Sequence, residues 1–356
     1  MRILTTLPQD DLNDVPAAAA HAEAVGYDGL VTSENRNEPF LALGVAAVNT
    51  SRIGLATGIA IAFARSPMAV ANASWDLQFA SRGRFVLGLG SQIRAHNENR
   101  FSVPWSAPAP RMREYVEALR AIWRCWETNE KLDYRGRHYK FTLMTPNFAP
   151  RSAGQPMVPV TIAAVGPAML RLAGEVCDGV RLHAFCTRRY IDEVVMRELR
   201  EGMARGGRAR EHFEVAGGGF IATGPDDAAV AKMMEWVRVR VAFYASTPAY
   251  WPVLEVHGLH ELGRKLNVMS KAGQWDRMAD EVSDDVVRLF AAVGTHREIA
   301  KEIAQRFGGA ADAVTLSGGY GVRQEIPPDL VQEIQRIPGT FRGFQTSWSG
   351  AGAPDQ

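Results

Sequence analysis

A chain of 356 residues, 46% of them hydrophobic, has material for one large core or two average ones. Forty Lys and Arg against 39 Asp and Glu leave a formal charge of +1, which gives no electrostatic basis for a nucleic-acid or anionic-membrane partner. Three scattered cysteines without a CxxC, no charged-then-apolar leader and no run of membrane-spanning length read as a reduced, cytoplasmic protein.

In chain order, Arg2–Pro8 is predicted as a first strand, followed by an alanine-rich helix with Pro16 in its first turn and Gly26 at its end. Gly29–Glu34 (GLVTSE) is the second strand and Pro39–Asn49 a second helix. Ile53–Phe63 is apolar and β-branched, as a strand buried on both faces should be. Gly54 and Gly58 interrupt it; a glycine inside a buried strand marks a bulge or the close approach of a backbone or ligand. Ser66 and Pro67 open a helix that ends at Gly83, with Met68, Ala71, Trp75 and Phe79 expected on its buried face. Phe85–Gln92 is the fourth strand, ending in the polar Gly90-Ser91-Gln92.

A long polar loop after Gln92 and a helix at Arg111–Trp126 follow, then a small hairpin around Gly136. Val158–Val165, Gly179–Phe185, Phe213–Thr223 and Ala313–Ser317 are strands five to eight. Residues 245–284 are expected to be irregular, with helices at Asp285–Ala291 and Thr295–Phe307. Eight strands alternating with helices predict an α/β chain, a (β/α)8 TIM barrel with insertions after strands 4 and 7; an open doubly wound sheet is the structural alternative. The domain expected is a single one over residues 1–342, with insertion segments at 92–110, 130–150 and 245–284 and a flexible tail at 343–356.

Barrel sites lie at the carboxyl ends of the strands, which directs attention to Glu34, Thr57-Gly58-Ile59, Ser91-Gln92, Val165-Gly166-Pro167 and His183. Gly166-Pro167 starts a helix whose first backbone N–H groups lack intrahelical partners and so suit an anion; an ordinary tight turn is the other reading. His183 is a catalytic candidate facing the mouth, or a satisfied core histidine. Glu34 is the other catalytic candidate, unless it pairs with Arg36 or Arg65. Neither GxGxxG after the first strand, GxxxxGK[ST], HExxH nor GxSxG occurs, so no metal site or hydrolase triad is expected.

The segments Thr57–Pro67 (TGIAIAFARSP), Ser81–Gln92 (SRGRFVLGLGSQ), Ala164–Val180 and Ala291–Ala304 resemble the bacterial luciferase-like oxidoreductases, in their branch dependent on the deazaflavin coenzyme F420. The resemblance implies a non-prolyl cis peptide at Gly58–Ile59 behind the cofactor ring. It implies cofactor contacts from Thr57, Gly58, Ile59, Gly90, Ser91 and Gln92, and from Ala164, Val165, Gly166 and Pro167 around the tail and phosphate. It further implies hydride transfer between F420 and a small-molecule substrate, and a homodimer. FMN-dependent monooxygenation is the alternative, and a non-catalytic flavin-binding barrel a second one. Glu34-Asn35 stands where the branch's sugar-phosphate dehydrogenases have an acid–histidine pair, which argues against that substrate.

Overall fold

The computed structural model describes residues 1–152, 154–316 and 326–348. Eight parallel strands form the barrel: β1 Arg2–Thr6, β2 Gly29–Thr32, β3 Gly54–Thr57, β4 Phe85–Gly90, β5 Val160–Ala164, β6 Gly179–Leu182, β7 Glu214–Gly217 and β8 Ala313–Leu316. Each pairs with the next, Leu55 lying opposite Phe85 and Ala216 opposite Ala313, and β8 returns to β1 through Arg2 opposite Ala313. The sheet is therefore closed, as the alternation of elements predicts, and the open-sheet alternative falls. Ser317, expected at the end of β8, lies outside the described residues.

Outward-facing strand residues pack beneath the helices. The helix Pro108–Thr128 buries Met112, Tyr115, Leu119, Ile122, Trp123 and Trp126 as one stripe, and Trp126 meets Trp75 edge-on with ring centroids 5.5 Å apart. The helix Pro67–Ala80 is capped by Ser66, which accepts from the Met68 N–H. Its buried face is Val70, Ala71, Ser74, Trp75, Leu77 and Gln78, whereas Phe79 is 63% exposed. Leu77 and Gln78 face inward in place of the expected Phe79, so the buried stripe lies one edge over from the predicted one.

Several expected elements differ. The third strand is not continuous: β3 stops at Thr57 and a short strand, Ala60–Ile61, resumes beyond the Gly58–Ile59 peptide, which is cis. The expected seventh strand splits at Gly217 and Gly218, whose φ of +84° and +102° turn the chain. Its second part, Phe220–Gly224, leaves the barrel to pair in parallel with Ala291–Thr295. Ala291–Thr295, assigned to helix ends by its flanks, is thus a strand, because Phe220–Gly224 offers it a ladder no local signal announces.

Residues 245–284 are largely helical, with turns or helices at Pro248–Tyr250, Trp251–Glu255, His260–Lys271 and Trp275–Glu281. The loop after β4 contains a short helix, Arg94–Asn99, and the long helix already starts at Pro108. Gly343–Trp348 does not hang free: the Met157 N–H donates to the Thr346 carbonyl (2.9 Å) and Trp348 Nε1 donates to the Gln155 carbonyl (3.0 Å). The rest of the expected tail lies outside the described residues. Among the described residues no helix is long and apolar enough to cross a membrane, and no three His, Cys, Asp or Glu cluster to hold a metal.

Candidate active site

At the carboxyl ends of the strands, the chain from β2 grips the segment after β3. Gly58 N–H donates to the Thr32 carbonyl (2.7 Å), Ser33 Oγ donates to the Gly58 carbonyl (3.0 Å), and Glu34 N–H donates to the Ile59 carbonyl (3.1 Å). The Glu34 carboxylate completes the bracket: Oε2 accepts from Ile61 N–H at 2.7 Å and from Arg65 Nη1 at 2.6 Å. Glu34 is buried and paired with Arg65, which also reaches Glu38 at 3.4 Å. Of the two pairings considered from the sequence, the one with Arg65 is made.

The glycines on this floor have steric reasons. A Cβ on Gly58 would lie 2.4 Å from Val31 Cγ1, and one on Gly90 would lie 2.5 Å from Ile59 Cδ1. Both distances are far inside van der Waals contact. Gly58 and Ile59 are half-buried and present an apolar surface here, with Gly90 buried against it. Thr57 lies just under it, its hydroxyl donating to the Gly88 carbonyl (2.7 Å) and accepting from Gly88 N–H (2.8 Å), which pins β3 to β4.

Ser91 and Gln92 continue the wall. Gln92 has φ +56°, uncommon for a residue with a side chain, and its Oε1 accepts from the Ile93 N–H at 2.8 Å. Asn97, fully buried, holds this turn by donating from Nδ2 to the Ser91 and Ile93 carbonyls at 2.9 and 3.0 Å.

Across the mouth, Ala164 is buried and Val165 half-buried, its carbonyl accepting from the Tyr190 hydroxyl at 3.0 Å. Gly166 caps the helix Pro167–Val176 without any side-chain cap, and a Cβ there would meet nothing within 4 Å. The first backbone bond of the helix runs from Leu170 to the Gly166 carbonyl, which leaves the N–H groups of Ala168 and Met169 without intrahelical partners at an open end. Such an end suits an anion.

His183, just past β6, accepts at Nδ1 from the Phe185 N–H (2.9 Å). That bond assigns its proton to Nε2. Its ring sits between Tyr244 and Tyr250, at centroid distances of 4.4 and 4.8 Å. Desolvation by burial pushes its pKa down to about 4, so near neutral pH the imidazole is an uncharged donor. The two tyrosines come from the start of the segment expected to be irregular and from just before it. Local patterning offers no reason to place them on β6. Ser33 and Asn97 are further site residues that no motif marks, although Ser33 lies in the GLVTSE strand.

A depression of about 360 Å³ opens at the opposite, amino-terminal end of the strands, beside Arg2, Asp28, Asp312 and Arg342. Its acids are engaged: Asp28 Oδ2 accepts from Ile3 N–H and Gln335 Nε2, and Asp312 accepts from the backbone of Val215, Thr340 and Phe341. This end holds the barrel together, its carboxylates committed to structure.

The sequence matches the luciferase-like monooxygenase family over residues 2–313. An uncharacterised protein of Mycobacterium tuberculosis (strain ATCC 25618 / H37Rv) is 48% identical over 319 residues, covering 90% of this chain and 94% of its own. The 5,10-methylenetetrahydromethanopterin reductase of Archaeoglobus fulgidus is 29% identical over 324 residues, 89% of this chain and 91% of that one. Among solved structures, the coenzyme F420 dependent tetrahydromethanopterin reductase from Methanopyrus kandleri superposes with a TM-score of 0.74 at 22% identity, over 94% of this chain and 97% of the other. That last likeness bears on the fold.

Proposed function

The chain belongs to the luciferase-like monooxygenase family, and we propose that it passes a hydride between the deazaflavin coenzyme F420 and a small organic substrate at the mouth of its barrel. The observation that carries this reading is the apolar Gly58–Ile59 segment at the mouth, half-buried, with Gly58 and Gly90 packed so closely against Val31 and Ile59 that neither admits a Cβ. A planar ring fits such a floor, and an anionic tail fits the uncapped helix start at Gly166-Pro167. A relative 27% identical over 305 residues is named as a putative coenzyme F420-dependent oxidoreductase, which supports F420 as the cofactor.

When bound, the deazaflavin supplies the hydride chemistry. The protein's part is to seat and orient. Gly58, Ile59 and Gly90 back the ring, while Thr57 fixes the strands beneath it. Ser91 and Gln92 form one wall, and Ala164, Val165, Gly166 and Pro167 receive the tail. Glu34 holds the floor in place through Ile61 and Arg65. His183 presents its Nε2–H to a substrate oxygen as a neutral donor, with Tyr244 and Tyr250 fixing its ring.

Titration of the purified protein with oxidised F420 and, separately, FMN tests this, followed by thermal shift and absorbance. Stabilisation by F420 is expected. Stabilisation by FMN alone would move the protein to the oxygen-using side of its family, and stabilisation by neither would overturn both readings.

A further inference from the structure

Resting on the cofactor reading above, we propose that Arg181 is a positioning residue, a fixed positive charge under the floor that favours an anionic form of the ring seated on Gly58, Ile59 and Gly90. Branched aliphatic side chains ordinarily fill the inside of such a barrel. At this level the chain instead provides Gly88, Ala163 and Ala216, the last two directly in register with Arg181 on the neighbouring strands. A Cβ on Gly88 would lie 2.7 Å from Arg181 Nε and 2.0 Å from the Thr57 carbonyl oxygen. The guanidinium stem therefore runs beside the peptide that leads into Gly58. Nε donates to Thr161 Oγ1 at 3.0 Å.

Leu4, Val31, Ala216 and Ala313 form a buried plug inside the barrel. Ala163 and Arg181 nonetheless keep some accessible surface. Among the described residues Arg181 makes no ion pair. The acid acting most strongly on it is Glu214, and that carboxylate is bonded to Arg2. Two arginines against one glutamate leave an uncompensated positive charge in the interior. A guanidinium keeps its proton even when buried, and burying an unpaired charge is costly. The fold accepts that cost directly beneath the floor. A unit charge acting over about 10 Å through a protein-like medium changes the ionisation of a facing group roughly tenfold.

The field can be read without any cofactor. An Ala163→Cys variant places a thiol next to Arg181 in register, and its alkylation rate against pH gives its pKa. Cys177 and Cys186 are buried, with thiols pushed up to about 12, and Cys125 is buried with its thiol raised, so they stay silent. Other charges near the mouth, Glu34 with Arg65, are common to all backgrounds. Adding Arg181→Gln should raise the thiol pKa by about one unit, and Arg181→Lys should restore it. Arg181→Met serves as a second neutral variant should the Gln protein not fold. An unchanged thiol pKa in a folded neutral variant would overturn the proposal. With oxidised F420 bound, the pH at which the chromophore ionises, read by absorbance, should rise in the same variants. A shifted thiol in a protein that binds no F420 would uphold the charge and overturn the cofactor assignment.

Discussion

Glu34 donates through its backbone to Ile59 and accepts through its carboxylate from Ile61, so one residue touches both sides of the interruption in the third strand. Replacing it by Ala leaves Arg65 its longer pairing with Glu38 (3.4 Å) and the buried Ile61 N–H without an acceptor. The expected cost is about 2 to 3 kcal/mol, seen as a lower urea midpoint at unchanged slope. Glu34→Gln keeps an acceptor for Ile61 and should lose less. If Glu34 were instead a proton-transfer group, Gln would abolish turnover in a protein of unchanged stability. His183 makes a pH-dependent prediction. Its folded pKa of about 4 lies below the ordinary value of 6.5, so between those pH values the unfolded chain binds more protons than the folded one. Stability from this group is therefore full above about pH 6.5 and falls as the pH drops toward 4. His183→Gln should show a flatter loss of stability across that window in denaturation series at several pH values; parallel curves would show that the imidazole is not desolvated.

At the scale of the element, the interrupted third strand shows what is legible in advance. A glycine in the middle of a β-branched run tells where the strand breaks, and the polar turn after Gly90 tells where the wall begins. Neither gives the reason for the glycines, which is a neighbour distant in sequence: Val31 for Gly58 and Ile59 for Gly90. Those contacts suggest a paired test. Gly58→Ala should destabilise by about 1 to 3 kcal/mol through overpacking, and adding Val31→Ala should recover much of it. Gly90→Ala should weaken cofactor binding at least tenfold while the barrel stays folded, because the obstructing atom is the movable end of Ile59. Equal affinity of Gly90→Ala and the parent protein would remove Gly90 from the floor. The segment 245–284 is opaque for a related reason. Its helices are short, and Tyr250 within it and Tyr244 beside it find their partners at the end of β6 and not along their own helix faces. Ala291–Thr295 likewise carries too few residues to outweigh the helical patterns on both sides.

The whole molecule divides into a mouth that carries the chemistry and a closed end that carries stability, as barrels of this kind do. The last described residues belong to the closed end. From Asp312, whose Oδ1 accepts from the backbone of Thr340 and Phe341, the chain runs across to the segment before β5, where Thr346 and Trp348 bond to Met157 and Gln155. His212 Nδ1 meets the Gly343 carbonyl at 2.8 Å on the way, and Trp348 packs on Trp75 at 6.1 Å between centroids. Glycine, serine and proline across Gly343–Gln356 read as a loose tail, because composition registers the missing periodicity and not a tryptophan, Trp348, that finds a distant groove. Two truncations isolate the strap: one ending after Trp348, the other after Arg342. Removing Gly343–Trp348 takes away three backbone-directed hydrogen bonds and a large apolar surface, so the shorter chain should be less stable by about 2 to 4 kcal/mol. Cofactor affinity should be equal in the two, since the strap lies at the amino-terminal ends of the strands, away from Gly58, Gly90 and Gly166. A drop in affinity at unchanged urea midpoint would reverse the assignment of the two ends. Trp348→Ala alone should account for the larger share of the stability change, because the indole supplies both the Trp75 packing and the bond to Gln155.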